Sequence, residues 1–263
     1  MDEKTLKTAL ADLPLGGLRY FDSTGSTNDL ALAWAAESAP DFSLILADEQ
    51  TSGRGRSGRT WYTPGGSALA FSLILRPTES ERQHPVFFTA LGALALTETL
   101  SKNFSLPSRI KWPNDVLIRG RKAAGILLET VWLGDSVESL VLGMGLNVLA
   151  ASVPPAENLD FPATSIEDEA GQPPDRPALL RDILAELIAW RARLGSPEFL
   201  ATWEDRLAYR GEQVQAWDPS GQVPPRSGQL LGLGADGSLQ LRGEDGETVS
   251  VHFGDVRLRP AKL

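Results

Sequence analysis

The sequence predicts an α+β protein with a small all-β unit at its C-terminal end. Two observations lead there. Up to Tyr209, apolar runs of strand length are interleaved with helix-forming stretches. Beyond Tyr209 the helical period is lost, and QVQAW, GQLLGLG, SLQLR, ETVSVHF and DVRLR are short strands divided by Asp-Gly and Gly-rich turns. That tail of about 50 residues has the size of a five-stranded barrel.

In chain order, Leu18 to Phe21 is a short apolar run that ends in the turn-rich Asp22-Ser23-Thr24-Gly25. Ser26-Thr27-Asn28-Asp29 fits a capping box, Ser26 accepting a free backbone N–H and Asp29 suiting the positive helix end. The strong helix formers LALAWAAE carry that helix to Glu37. Ser43 to Ala47 and Ser67 to Leu75 are buried strand candidates, and Pro85 to Leu100 reads as a long apolar helix. From Arg109, β-like runs follow one another at Ile110 to Trp112, Val116 to Ile118, Ala124 to Trp132 and Ser139 to Val148. A Pro-rich connection over Val153 to Pro177 precedes an amphipathic helix marked by Leu180, Ile183, Leu184, Leu187, Ile188 and Leu194. Gly195 ends that helix, and Pro197 opens a shorter one running to Leu207.

Composition narrows the function classes. A chain of 263 residues with 42% hydrophobic and 22% charged residues is ordinary for a globular protein. No apolar run approaches the ~18–20 residues of a membrane helix, and MDEKTLKTAL lacks the apolar region of a secretory signal. Cysteine is absent, which rules out disulfides and thiolate metal sites and fits a reducing compartment. The cytoplasm is the expected location. A formal net charge of -9 argues against general nucleic-acid binding, which calls for a basic face.

Against that acidic background, QTSGRGRSGRTW (Gln50 to Trp61) places Arg54, Arg56 and Arg59 among Gly53, Gly55 and Gly58 with no acid between them. Its GxGxxG spacing is not a dinucleotide fingerprint. Asp48 to Ser52 separates it from the apolar run, and the Pro64-Gly65-Gly66 that follows forbids the required helix. A phosphate loop GxxxxGK[ST] occurs nowhere. Three readings of the stretch stay open: a solvated loop, an RNA-binding Arg/Gly segment, or a mobile anion clamp whose guanidinium groups pair with phosphate or carboxylate.

A second motif bears on the choice. Lys111-Trp112-Pro113-Asn114-Asp115 sits between two strand runs, followed by Lys122, Gly125 and Glu129 in RKAAGILLE. With Ser26-Thr27-Asn28, the arginine loop and Gly143-Met144-Gly145-Leu146-Asn147, it forms an ordered set. Through STN, GRGRxGRxW, KWPND, KxxGIL-E and GxGxN the sequence resembles the biotin protein ligases (biotin–[acetyl-CoA-carboxylase] ligases) over nearly the whole chain from Leu18. The resemblance implies a mixed, largely antiparallel sheet with flanking helices, like that of class II aminoacyl-tRNA synthetases, in a catalytic domain over 1–208. It implies a small SH3-like β-barrel over 209–263. With so few residues before Leu18, the chain resembles the form without the N-terminal DNA-binding domain, so no operator binding is expected.

The resemblance implies two steps: biotin and ATP give biotinyl-5′-adenylate and pyrophosphate, and a lysine of a biotin carboxyl carrier protein then takes the biotinyl group. ATP and Mg²⁺ are the implied cofactors, with a monomer or homodimer as the working form. Position by position, it implies that Ser26, Thr27 and Asn28 form the biotin pocket and bond the ureido ring, with Gln50 reaching biotin from the strand end. Arg54 and Arg56 would close over the carboxylate and α-phosphate, and Gly55 and Gly125 belong with the biotin site. Arg59 would meet ATP phosphates, Trp61 would pack near the adenine or cover the loop, and Asn114 would place Mg²⁺ or phosphate. Asn147 would bond the adenine. Lys111 would stabilise the pentavalent phosphorus and Lys122 would meet biotin's carboxyl oxygen, which makes Arg56, Lys111 and Lys122 the implied catalytic set. Asp115 is left open between a ligand contact or proton acceptor and a turn cap. Ser57 stands where the family often has a cation. His84 and His252 lie far from every motif. The alternatives are a lipoate–protein ligase of the same catalytic fold and a non-catalytic RNA or anion binder.

Overall fold

A computed structural model describes residues 1–217, 224–252 and 257–260. Its main sheet has seven strands: β1 (Gly17–Thr24), β2 (Ser43–Gln50), β3 (Ala68–Leu75), β4 (Ser108–Lys111), β5 (Asp115–Ile118), β6 (Arg121–Leu133) and β7 (Ser136–Asn147). Their order is β1-β2-β3-β7-β6-β5-β4. The β1–β2 pair is parallel and every other pairing is antiparallel, so the sheet is mixed, as expected.

Both sheet faces are covered, which explains why β3 is buried along its entire length. Alternate residues point to opposite sides. Leu44, Leu46, Leu69, Phe71 and Leu73 join the large core, under α4 (Val86–Phe104) and α6 (Arg176–Arg191). Ile45, Ile74 and Val141 point the other way, against Ala31 and Ala35 of α2 (Thr27–Ala36). Helix α4 packs on both α6 and the sheet, so its apolar residues are not confined to one stripe. The second sheet joins β8 (Gln213–Trp217), β9 (Arg226–Leu233), β10 (Leu239–Arg242), β11 (Thr248–Val251) and β12 (Arg257–Pro260) in the order β11-β10-β9-β8-β12. All its pairings are antiparallel; none joins β11 to β12 among the described residues. Trp112 Nε1 donates to Gly237 O at 3.2 Å, and Leu233 N donates to Glu204 at 2.9 Å, fixing this SH3-like unit against the larger one.

Three helices are not expected from the sequence: α1 (Glu3–Ala9), which buries Leu6 and is capped by Asp2, α3 (Glu79–Arg82), and α5 (Ile166–Ala170), which lies within the Pro-rich connection. All are short, and two turns or fewer of apolar periodicity are too few to be read. The remaining helix is α7 (Pro197–Asp205). The cap expected from Ser26 takes another form. Ser26 makes no side-chain cap bond; Gln50 Oε1, from the end of β2, instead accepts from Thr27 N at 2.8 Å.

At the far end of α6, Arg191 is nearly buried and binds Asp41 at 2.8 Å, Glu81 at 3.1 Å and the Arg76 carbonyl at 2.8 Å. Removing the cation strands two carboxylates. Arg191→Met is therefore expected to lower stability by about 2–4 kcal/mol in urea unfolding at neutral pH. A loss below half a kcal/mol would show that water, not Arg191, satisfies those acids.

Candidate active site

On the α2 side of the sheet, beyond the end of α2, the inward positions change character. Gly125 and Leu127 of β6 face Gly145 and Gly143 of β7 in register, with Asn147 at the end of the same row. At the three glycines these two strands are left bare enough to form the floor of a cleft of about 340 Å³. The glycines are needed there. A Cβ on Gly145 would stand 2.3 Å from the Trp61 indole, and one on Gly143 would stand 2.0 Å from Asn28 Oδ1.

Every residue implied as a site residue lines this cleft: Ser26, Thr27, Asn28, Gln50, Arg54, Gly55, Arg56, Arg59, Trp61, Lys111, Asn114, Asp115, Lys122, Gly125 and Asn147. They fall into two neighbourhoods. At one end the N-terminus of α2 is wired to β2 and β3. Thr27 Oγ1 lies 3.1 Å from Gln50 Oε1, Ser72 Oγ donates to Asn28 Oδ1 at 2.6 Å, and Gln50 Nε2 donates to Thr63 Oγ1 at 3.3 Å. The side chains of this group are polar and neutral, Ser26, Thr27 and Asn28 buried and Gln50 half-buried, with both donors and acceptors in place.

The other end is cationic. Asp115 lies between two lysines, its Oδ2 2.8 Å from Lys111 Nζ and its Oδ1 2.6 Å from Lys122 Nζ. Burial by itself would push the Asp115 carboxyl up, but the charges of Lys122 and Lys111 outweigh it and hold the group well below the usual carboxylate range. For Lys111 burial wins over its bond to Asp115, and its ammonium is pushed below the ordinary lysine value. Both carboxylate oxygens of Asp115 are thus engaged as the counterion that the two lysines share.

The arginine loop is folded down over the cleft. Arg54 pairs with Thr60 and Gln50 with Thr63 as isolated antiparallel bridges, and Trp61 N donates to Gly53 O at 2.8 Å. Arg56 Nη1 donates to Asn114 Oδ1 at 3.2 Å, tying the loop to the Lys111–Asp115 turn. The Asn114 amide also holds the Ile126 carbonyl at 2.8 Å. Ser57, with φ 54°, forms the tip turn beside Gly58. Trp61 lies on the Gly125/Gly145 floor with Lys122 Nζ 5.3 Å from its ring centre.

The family model for the biotin/lipoate A/B protein ligases matches residues 20–147. A biotin–[acetyl-CoA-carboxylase] ligase of Mycobacterium tuberculosis is 34% identical over 97% of this chain and 95% of its own length. The chain belongs to the biotin protein ligases. A second relative in this family, a biotin–[acetyl-CoA-carboxylase] ligase of Paracoccus denitrificans, is 36% identical over 86% of this chain and 94% of its own. A solved structure of the biotin protein ligase from Aquifex aeolicus, in complex with biotin and ATP, superposes with a TM-score of 0.80 at 27% identity. It covers 93% of this chain and 99% of that one.

Sequence reasoning missed part of this ligase's cleft. Asn158 to Phe161, from the Pro-rich connection, form one wall, and Arg259 of β12 reaches in from the C-terminal unit. The wall is stitched to the site by Lys122 N donating to Pro162 O at 2.7 Å, Thr164 N donating to Lys122 O at 2.9 Å and Asn147 Nδ2 donating to Thr164 O at 3.1 Å. The Phe161 ring lies 4.9 Å from Lys111 Nζ and 4.5 Å from the Arg259 guanidinium. No local pattern marks a proline-rich linker or a terminal strand as part of a site. The one available hint was an aromatic residue flanked by Asp160 and Pro162.

Gly145→Ala is expected to expel the Trp61 indole and open the loop, seen as faster amide exchange over 53–61. In a Trp61→Ala background the same change should add nothing. Equal effects in both backgrounds would mean that the glycine serves the sheet and not the indole.

Proposed function

We propose that this protein activates biotin with ATP to biotinyl-5′-adenylate and transfers the biotinyl group to a lysine of a biotin carboxyl carrier protein. One observation carries the reading: a buried, neutral polar pocket at the head of α2 opens directly onto the Lys111–Asp115–Lys122 cluster and Arg56. A bicyclic urea with a carboxylate tail fits that sequence of environments. Its ring nitrogens and carbonyl match Thr27, Ser26 and Gln50, and its anionic tail points to the lysines.

Biotin's carboxylate is ionised at neutral pH and needs no base. One of its oxygens forms a bond to the α-phosphorus as the bond to pyrophosphate breaks, and the pyrophosphate leaves with the electron pair. The obstacle is repulsion between two anions and the growing charge on the phosphoryl oxygens. Lys111, nearly buried and fixed by Asp115, is the charge placed to offset it, with Lys122 at biotin's carboxyl oxygen and Arg56 and Arg59 above from the loop. In this reading Asn147, Trp61 and the 158–161 wall, which line the cleft, hold the nucleoside. In the second step the carrier's lysine nitrogen bonds to the acyl carbon, AMP departs with the bonding electrons, and the ammonium proton passes to solvent.

Among the described residues no group of three or more His, Asp or Glu side chains is placed to hold a metal ion. Mg²⁺ would come with the nucleotide, held mainly by its phosphates and water, with Asn114 as the residue that would help place it. We also propose that residues 1–208 act as the catalytic domain and 209–263 as a supporting β domain that contributes Arg259.

Biotin-dependent ATP–pyrophosphate exchange tests the reading, and its pH profile tests the cluster. Lys111 must be protonated to act, so the rate falls as pH rises through its pKa, which burial has already lowered and Asp115 partly restores. Asp115→Asn removes that support, so the alkaline limb is expected to move down by about 1–2 pH units. Exchange that does not need biotin would overturn the function. An unmoved limb in Asp115→Asn would overturn the role given to the cluster.

A further inference from the structure

Glu129 lies on β6 on the same face as Gly125 and Leu127, but its side chain does not line the cleft. Its carboxylate is fully engaged all the same. Arg54 Nη1 donates to Oε1 at 3.1 Å and Nη2 to Oε2 at 2.6 Å, a two-point clasp across 75 residues of chain. Asn28 Nδ2 donates to the same Oε2 at 2.7 Å. Asp29 adds a second acid to Arg54 at 2.7 Å, but it is more exposed than Glu129.

The chemistry of these partners determines how Asn28 sits. A carboxylate only accepts, so the amide must turn its nitrogen to Glu129 and its oxygen to Ser72 Oγ, 2.6 Å away. Asn28 itself is buried against Gly143, where no side chain could fit. Asn28 is thus fixed from both sides, by Glu129 and by Ser72, and neither of these lines the cleft.

We propose that Glu129 is a positioning residue that couples the arginine loop to the biotin pocket, holding the loop shut through Arg54 while it fixes the amide of Asn28. The pocket half of this inference rests on the biotin reading above. The coupling has a direct consequence. A ligand anion that draws Arg54 away leaves Glu129 half-buried with Asn28 as its remaining partner, which tightens that bond. Loop opening and the shape of the pocket then change together.

Two substitutions separate the two halves. In Glu129→Gln one amide oxygen can still accept from Asn28, but the ion pair with Arg54 is gone. In Glu129→Ala both are gone. Hydrogen exchange without ligand is expected to quicken over residues 53–60 in both variants, by about fivefold, the upper range for a partly exposed ion pair, with the core strand β3 unchanged. Biotin binding by calorimetry is expected to be about tenfold weaker in Glu129→Ala than in Glu129→Gln, the size of one lost hydrogen bond at a buried amide. Ser72→Ala removes the other bond on Asn28, and with it the bond to Thr27 Oγ1, and should lower biotin affinity with no effect on loop exchange, which keeps the test valid if Glu129→Ala does not fold. Unchanged loop exchange in Glu129→Gln would overturn the latch. Equal biotin affinity in Glu129→Gln, Glu129→Ala and Ser72→Ala would overturn the coupling to the pocket. If the wild-type protein takes up no biotin, the functional reading fails by itself, and loop exchange still decides whether Glu129 is the latch.

Discussion

The carboxylate of Asp115, buried between Lys111 and Lys122, fixes what the cleft can do. Two ammonium groups brought close together out of water would repel each other and lose hydration, and a single uncompensated charge of this kind costs several kcal/mol. A carboxylate between them removes most of that cost and points both Nζ atoms from one anchor. The group's depressed pKa has a consequence for stability. Its contribution is present above the ordinary carboxylate value and is lost as pH falls toward its own, so the cluster is intact across the whole neutral range. The net charge of the trio is positive, which suits a site that must hold a carboxylate beside a triphosphate.

The sheet makes this placement possible. Lys111 ends β4, Asp115 begins β5 across a short turn, and Lys122 is the second residue of β6, so three consecutive strands deliver the three charges to one edge of the cleft. The Gly125/Gly145 and Leu127/Gly143 pairs then keep the next stretch of the sheet low enough for Trp61 and Asn28 to lie on it. On the far side of the same strands, Ile126, Met144 and Leu146 are core. One face stabilises the fold; the other, two residues out of every four, is given over to the site.

How much of this was legible in the sequence depends on the kind of signal. Strands β2, β3 and β7 and helices α2, α4 and α6 announce themselves through apolar runs or periodicity, since their burial is what makes them fold. The implied site residues were also legible as a group, and all of them line the cleft, although Glu129 of the same motifs does not. The partners of those residues were not. Arg54 belongs to a loop without a local acid, yet Glu129 and Asp29 meet it in space. Ser72 is one hydroxyl inside an apolar strand, and its importance lies only in facing Thr27 and Asn28. Phe161 and Arg259 enter from segments with no signature of their own. Sequence patterns report local burial, whereas these contacts arise from the order in which the strands are laid side by side.

The central claim is that Asp115 is an ionised counterion and never a proton carrier. Carboxyl-detected NMR of the Asp115 side chain, followed through a pH titration of the folded protein, measures this directly. The account predicts a carboxylate signal that stays in its ionised position from pH 8 down to the acid limit of the fold. A carboxyl that takes up a proton at or above about pH 5, higher than an ordinary aspartate, would contradict it.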